Sequence, residues 1–184
     1  MSRIPYPDPA TLSEAKRAAL NPPGGRVLNV VRMAMHTPDG LWQPQRDVSI
    51  ATVFGTTIDP RLREVLVLRV GALSNSEYEL HHHRSIARRL GMSDAEIRAI
   101  EAGDYSDLDD ETRVVAQFTT ELVVDVSPSD ATLAAARALF SDALVFEMVA
   151  LVGVYMMTAR VIGVGGCELD EVAVSSWDTE TLDG

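Results

Sequence analysis

Pro60-Arg61-Leu62-Arg63-Glu64-Val65-Leu66-Val67-Leu68-Arg69-Val70, followed by Ser76-Glu77-Tyr78-Glu79-Leu80-His81-His82-His83, decides the fold of this chain. Asp59 stands as an N-cap before Pro60, a residue suited to the first helical position. Leu62, Val65, Leu66, Leu68 and Leu73 then continue a helix. Asn75 or Ser76 starts the next, with Leu80, His83, Ile86, Ala87 and Leu90 facing inward and Gly91 ending it. Positions i, i+3, i+4 and i+7 share a helix face. Ser76, Glu79 and His83 obey that spacing, and Glu79 and His83, one turn apart, are predicted to touch. Tyr78 and His82 form a second i, i+4 pair further round the helix, and His81 is expected in solvent.

On either side the chain keeps reading as helix. Thr11 to Leu20 is a short one, ended by Asn21-Pro22-Pro23-Gly24-Gly25. Val27, Val30, Val31 and Ala34 have helical spacing. A loop with Pro38, Gly40 and Pro44 follows, and Asp47 caps a helix to about Phe54. Ser93-x-x-Glu96 is a capping box for a helix through Ile100. Helices from Asp109 or Asp110 to about Val124, from Ser129 to Phe140 and from Ser141 to Ile162 complete an all-α chain. Three regions follow: an N-terminal arm and short helix over 1–24, a helical domain over 25–170, and an acidic tail over 171–184. The Pro-rich arm (Pro5, Pro7, Pro9) needs a surface to pack on, such as a neighbouring subunit. The tail beyond Gly163 is expected to be ordered only in part.

Composition excludes several functions. The 184 residues are 46% hydrophobic, which suits one domain with a real core. A net charge of −11 with no basic run argues against nucleic acid. The first twenty residues carry no apolar leader core. The longest apolar run, Met148 to Ala159, falls short of the roughly 20 residues a bilayer span needs. These features predict a soluble cytoplasmic protein. Cys167 is the only cysteine, so no intrachain disulfide or Cys-x-x-Cys pair exists, and it reads as a small apolar residue. Lys16, the only lysine, is a poor candidate for Schiff-base chemistry.

The segments Arg61 to Val70, Glu77 to His83 and Ile86-Ala87-Arg88-Arg89-Leu90-Gly91-Met92-Ser93-Asp94-Ala95-Glu96-Ile97 resemble the carboxymuconolactone decarboxylase family, which includes the alkylhydroperoxidase D-like proteins. The resemblance continues through Asp110-Glu111-Thr112 and the helix from Val149 to Ile162, over residues 25–170. It implies an alkylhydroperoxidase D-like helical bundle with a central antiparallel helix pair. It also implies a homo-oligomer: a dimer, trimer or hexamer. The peroxidase branch carries Cys-x-x-Cys-x-x-x-His with a Glu twelve residues before the first Cys. Here those positions hold Ser76, Glu79 and His83, with Glu64 before them. The resemblance therefore implies Glu64 as partner of His83. It also disfavours thiol peroxidase activity, because serine cannot form the disulfide that drives turnover. The decarboxylase branch, which keeps an acidic-plus-His helix, is the nearer in chemistry.

These residues predict a cofactor-independent acid–base enzyme acting on a small organic acid or lactone by decarboxylation, isomerisation or elimination. Glu64, Glu79 and His83 are the candidate catalytic groups. Ser76, Tyr78, His82 and Arg69 are candidates for binding an anionic substrate, with Arg63 and Arg32 as further cations. Met33, His36, Trp42, Phe54 and Tyr155 are candidate pocket walls. No metal or cofactor is required. One alternative is a non-catalytic oligomeric scaffold or ligand-binding module with Glu64–His83 as a buried structural pair. Another is a metal enzyme using Glu79, His82 or His83, and Glu64, although no His-Glu-x-x-His pattern supports it.

Overall fold

The computed structural model of the protein describes residues 1–21 and 26–174. Among these the only regular elements are helices: a 3-10 turn at Pro9–Thr11, then α1 (Glu14–Ala19), α2 (Asn29–Ala34), α3 (Asp39–Phe54), α4 (Pro60–Leu73), α5 (Glu77–Arg89), α6 (Asp94–Ala102), α7 (Asp110–Val124), α8 (Asp130–Leu139) and α9 (Asp142–Gly165).

α4 is the axis of the fold. The Asp59 carboxylate accepts from the amides of Arg61 and Leu62, and Pro60 opens the helix as the sequence predicts. Every residue from Leu62 to Gly71 is buried, because α5, α6, α7 and α9 all pack against α4. A helix apolar nearly all round belongs at the centre of a core. Its three buried ionic side chains, Arg63, Glu64 and Arg69, therefore have to find partners indoors. A short link through Asn75, at a left-handed φ of 51°, turns the chain back into α5, which makes the expected antiparallel pair. Val65, Leu66, Phe118, Met148 and Leu151 fill the space between α4, α7 and α9.

Capping matches the sequence at several ends. Ser93 accepts from the amide of Glu96, Asp109 from Thr112, Ser129 from Thr132 and Ser141 from Leu144. The Glu96 carboxylate does not complete its capping box; it pairs with Arg61 and ties α6 to α4. Gly103 ends α6 at φ 79°, and a Cβ there would lie 2.9 Å from the Arg69 guanidinium.

Three expectations are corrected. α3 begins at Asp39, not Asp47, with Pro44 inside it. Burial of Trp42 with Leu12 and Met35 in a second small core holds that turn helical despite the bond Pro44 cannot donate. The N-terminal arm packs on its own chain: the amides of Arg3 and Ile4 donate to the Gly165 carbonyl at 2.8 and 3.0 Å. Leu90 is exposed rather than inward. Of the acidic tail expected to be ordered in part, the described portion carries α9 to Gly165 and brings Asp170 and Val174 over α5. The rest of the predicted tail, 175–184, lies outside the described residues.

Candidate functional site

α4 and α5 bring Glu64 and His83 together. Glu64 is fully buried and accepts from His83 Nδ1 through Oε2 at 2.7 Å. The Arg63 side chain reaches Glu64 Oε1 at 3.4 Å and donates to the Val53 carbonyl at 2.9 Å. Glu64 thus sits between a guanidinium and an imidazole. With Nδ1–H engaged by the carboxylate, the ring carries its basic lone pair on Nε2. The Tyr155 ring, from α9, stands edge-on to His83 at 5.3 Å between centroids. Burial and the nearby Glu64 push the Tyr155 hydroxyl well above the ordinary phenol range, so it stays protonated.

Glu79 lies beside this pair, 4% exposed. Neither of its oxygens has a hydrogen-bond partner, and neither does the hydroxyl of Ser76. The predicted Glu79–His83 contact is therefore not made as a hydrogen bond. Burial pushes the Glu79 carboxyl up to about 7, against the opposing pull of Ser76 and His83. Ser76 is near enough to exert that pull without meeting the geometry of a hydrogen bond to Glu79. A carboxyl poised near neutral pH can give or take a proton, as general acid–base chemistry requires.

The remaining candidates lie elsewhere. Tyr78 and His82 face a second cluster built on Asp170. Asp170 Oδ2 accepts from the Tyr78 hydroxyl and from His82 Nε2, the latter at 3.1 Å. Asp170 Oδ1 accepts from the Asn29 amide at 3.2 Å, and the Val174 amide donates to His82 Nδ1 at 3.0 Å. His82 accepts on one nitrogen and donates from the other, so it is neutral. Burial is the main cause, pushing its pKa down to about 4. His81 is not in open solvent; its Nε2 lies 3.1 Å from the Asp170 carbonyl oxygen. Arg69 turns away from the site, donating to Thr120 Oγ1 at 2.8 Å and the Glu101 carbonyl at 2.9 Å. Arg32 stacks on Tyr6 at 4.5 Å. Of the proposed walls, Tyr155 reaches the site, while Met33 and His36 line a separate groove and Trp42 sits in the small core. Asp170 gave no signal in the sequence, because its partners lie 88 to 141 residues away. Among the described residues no three His, Cys, Asp or Glu side chains converge as metal ligands. The Cys167 thiol is pushed up to about 11 by burial, so it is a poor nucleophile.

Residues 47–121, which span α4, α5 and α6, match the carboxymuconolactone decarboxylase family. Over that segment, about two fifths of its length, the chain is similar to the carboxymuconolactone decarboxylase family. The alkylhydroperoxidase AhpD core of Ralstonia eutropha JMP134, called a peroxidase-related protein, superposes with a TM-score of 0.76 at 19% identity, over 92% of this chain and 93% of that one. A peroxidase-related protein from Silicibacter sp. TM1040 gives 0.74 at 17%, over 92% and 91%. A protein of unknown function from Agrobacterium tumefaciens gives 0.66 at 15%, over 74% and 94%. At these identities the likeness is one of fold. No curated protein matches the chain.

Proposed function

We propose that this protein is a cofactor-independent acid–base enzyme acting on a small organic acid or lactone, as in decarboxylation, isomerisation or a related elimination. The observation that carries this reading is the buried Glu79 carboxyl, unbonded and poised near neutral pH, beside the Glu64–His83 pair. A buried polar group without a partner costs about 1–3 kcal/mol. A substrate oxygen seated between Ser76 and Glu79 would recover that cost.

In this reading Glu79, protonated, donates to the substrate, and His83 takes a proton at Nε2. Glu64 holds the ring by Nδ1 and stabilises the imidazolium that forms. Arg63 lies against the other Glu64 oxygen at 3.4 Å. One proton enters the substrate and one leaves, so the net charge of the site is unchanged. Decarboxylation is the simpler variant, in which electrons released with CO₂ are quenched by the proton from Glu79.

The test is a panel of β-keto acids and unsaturated lactone carboxylates, followed by CO₂ release and by ultraviolet absorbance. Glu64→Gln, Glu79→Gln and His83→Ala should each lower turnover by about a hundredfold or more. The alternative, a non-catalytic scaffold, draws on the complete burial of Glu64 and its two partners. It predicts that the panel is inert and that Glu64→Gln and His83→Ala only lower the melting temperature. Wild-type turnover in the Glu64 and His83 variants would end the acid–base reading.

A further inference from the structure

Ser76 is the N-cap of α5, yet its side chain caps nothing. At the same place on α1, α6, α8 and α9, Ser13, Ser93, Ser129 and Ser141 each accept from an amide of the first turn. The Ser76 hydroxyl, 5% exposed, is left unbonded, and one turn on so are both oxygens of Glu79. Burial keeps the Glu79 carboxyl protonated up to about pH 7. Tyr155 comes in from α9, its ring 5.3 Å from that of His83. Burial, and then proximity to Glu64 and Glu79, raises its hydroxyl, so it too stays O–H. Three uncharged O–H donors therefore stand at this place.

The arginines that the sequence offered for a substrate anion are engaged elsewhere. Arg63 donates to the Val53 carbonyl and lies against Glu64. Arg69 donates to Thr120 and to the Glu101 carbonyl, and Arg32 stacks on Tyr6. A carboxylate brought here would give up its hydration for neutral donors beside two further carboxyl groups, which costs more than the hydrogen bonds return. An uncharged carbonyl oxygen fits instead. It has two lone pairs for O–H donors, and it gains negative charge only as a proton leaves the neighbouring carbon. Donors fixed in advance where charge develops are an effective electrostatic device in catalysis.

We propose that Ser76, Glu79 and Tyr155 form a donor site for the oxygen of an uncharged carbonyl compound, so that the substrate is a neutral unsaturated lactone or ketone and not a carboxylate. The proposal rests on the acid–base reading, in which His83 is the base and therefore uncharged, and within it selects isomerisation over decarboxylation. On a β,γ-unsaturated lactone, His83 takes a proton from the α carbon. The C–H pair becomes a C=C bond, and the carbonyl oxygen takes the proton of Glu79, giving a neutral dienol. The imidazolium then gives its proton to the γ carbon, the dienol O–H returns its proton to Glu79, and the conjugated lactone leaves. No oxidant or reductant is consumed.

The experiment reads binding to the full chain by saturation-transfer NMR, apart from any turnover. The probes are γ-valerolactone, which is uncharged and cannot isomerise, and levulinate, a carboxylate of similar size. At pH 6 the wild-type protein should bind the lactone about tenfold more tightly than levulinate or better. Ser76→Ala and Tyr155→Phe should each weaken lactone binding about tenfold while keeping the helical circular dichroism of the parent. Raising the pH to 8.5 should weaken it about tenfold in wild type, as Glu79 loses its proton, and not in Glu79→Gln, whose amide still donates. The other titratable or charged groups here, His83 on α5, Glu64 and Arg63 on α4 and Tyr155 on α9, are common to both proteins, so the difference in profile belongs to Glu79. Three outcomes overturn the proposal: levulinate bound as tightly as the lactone, lactone binding unchanged in both folded hydroxyl variants, or parallel pH profiles in wild type and Glu79→Gln. α-Angelica lactone in D₂O tests the chemistry separately. Lactone binding in the expected pattern without deuterium uptake at the α carbon upholds the donor site and ends the acid–base reading; turnover of β-keto acids with tighter binding of levulinate does the reverse.

Discussion

α5 carries two buried polar clusters that are satisfied to opposite degrees. Toward the C-terminal segment, Asp170 uses both carboxylate oxygens, and both nitrogens of His82 are engaged. Toward α4, the Glu79 carboxyl and the Ser76 hydroxyl have no partner, beside a tightly bonded Glu64–His83 pair. The first cluster is what a fold does with polar groups it must bury: every one is bonded. The second keeps capacity unused. The difference separates a clasp, which contributes stability, from the proposed pocket, whose unmade bonds lower it.

Stability measurements test that contrast most directly. Asp170→Ala strips His82 and Tyr78 of their acceptor and should cost about 3 kcal/mol in urea unfolding. Glu79→Leu removes a buried carboxyl that bonds to nothing, and should be neutral or stabilising by about 1 kcal/mol. Equal losses at both positions would erase the distinction between clasp and pocket.

The two clusters also respond to acid with opposite sign. His82 is pushed from 6.5 down to about 4 in the fold, so between those values the unfolded chain binds more protons and stability rises with pH. Glu79 is pushed from 4.5 up to about 7, so between those values the folded chain binds more protons and stability falls with pH. The wild-type profile over pH 4.5 to 6.5 should therefore be nearly flat. Glu79→Gln should expose the rising limb and His82→Gln the falling one. Melting temperatures across that window read both.

The smallest effect is expected at Cys167. With its thiol pushed up to about 11, alkylation near pH 7.5 should be slow, and Cys167→Ser should leave turnover unchanged and stability within about 1 kcal/mol. Peroxide reduction with a dithiol donor should stay at background for wild type and variant alike.

What the sequence disclosed follows from how local each signal is. Asp59 before Pro60, Ser93 before Glu96, and Gly91, at φ 85° after α5, act within one turn, and each was readable. The twelve-residue step from Glu64 to Ser76 and the further seven to His83 were readable as a pattern, and the fold makes that pair at 2.7 Å. Glu79 was placed on the right face, but its isolation was not legible, because an unmade bond leaves no trace in a string of residues. Arg69 looked like a cation for a substrate; its partners on α6 and α7 belong to tertiary packing. Trp42 held Pro44 within a helix for the same reason. Asp170 sat in an acidic run with nothing to distinguish it from solvent-facing neighbours.

The clasp also bears on the order in which the chain acquires its structure. Tyr78 and Asp170 are 92 residues apart, whereas α4, α5 and α6 are consecutive and meet through short links. Nearby segments find each other first, and closing a long loop is an entropic cost met late. In pulse-labelled refolding, amides of α4 and α5 should gain protection early. The Val174 amide, bonded to His82 Nδ1, should be among the last to do so, and until then Tyr78 and His82 remain open to water.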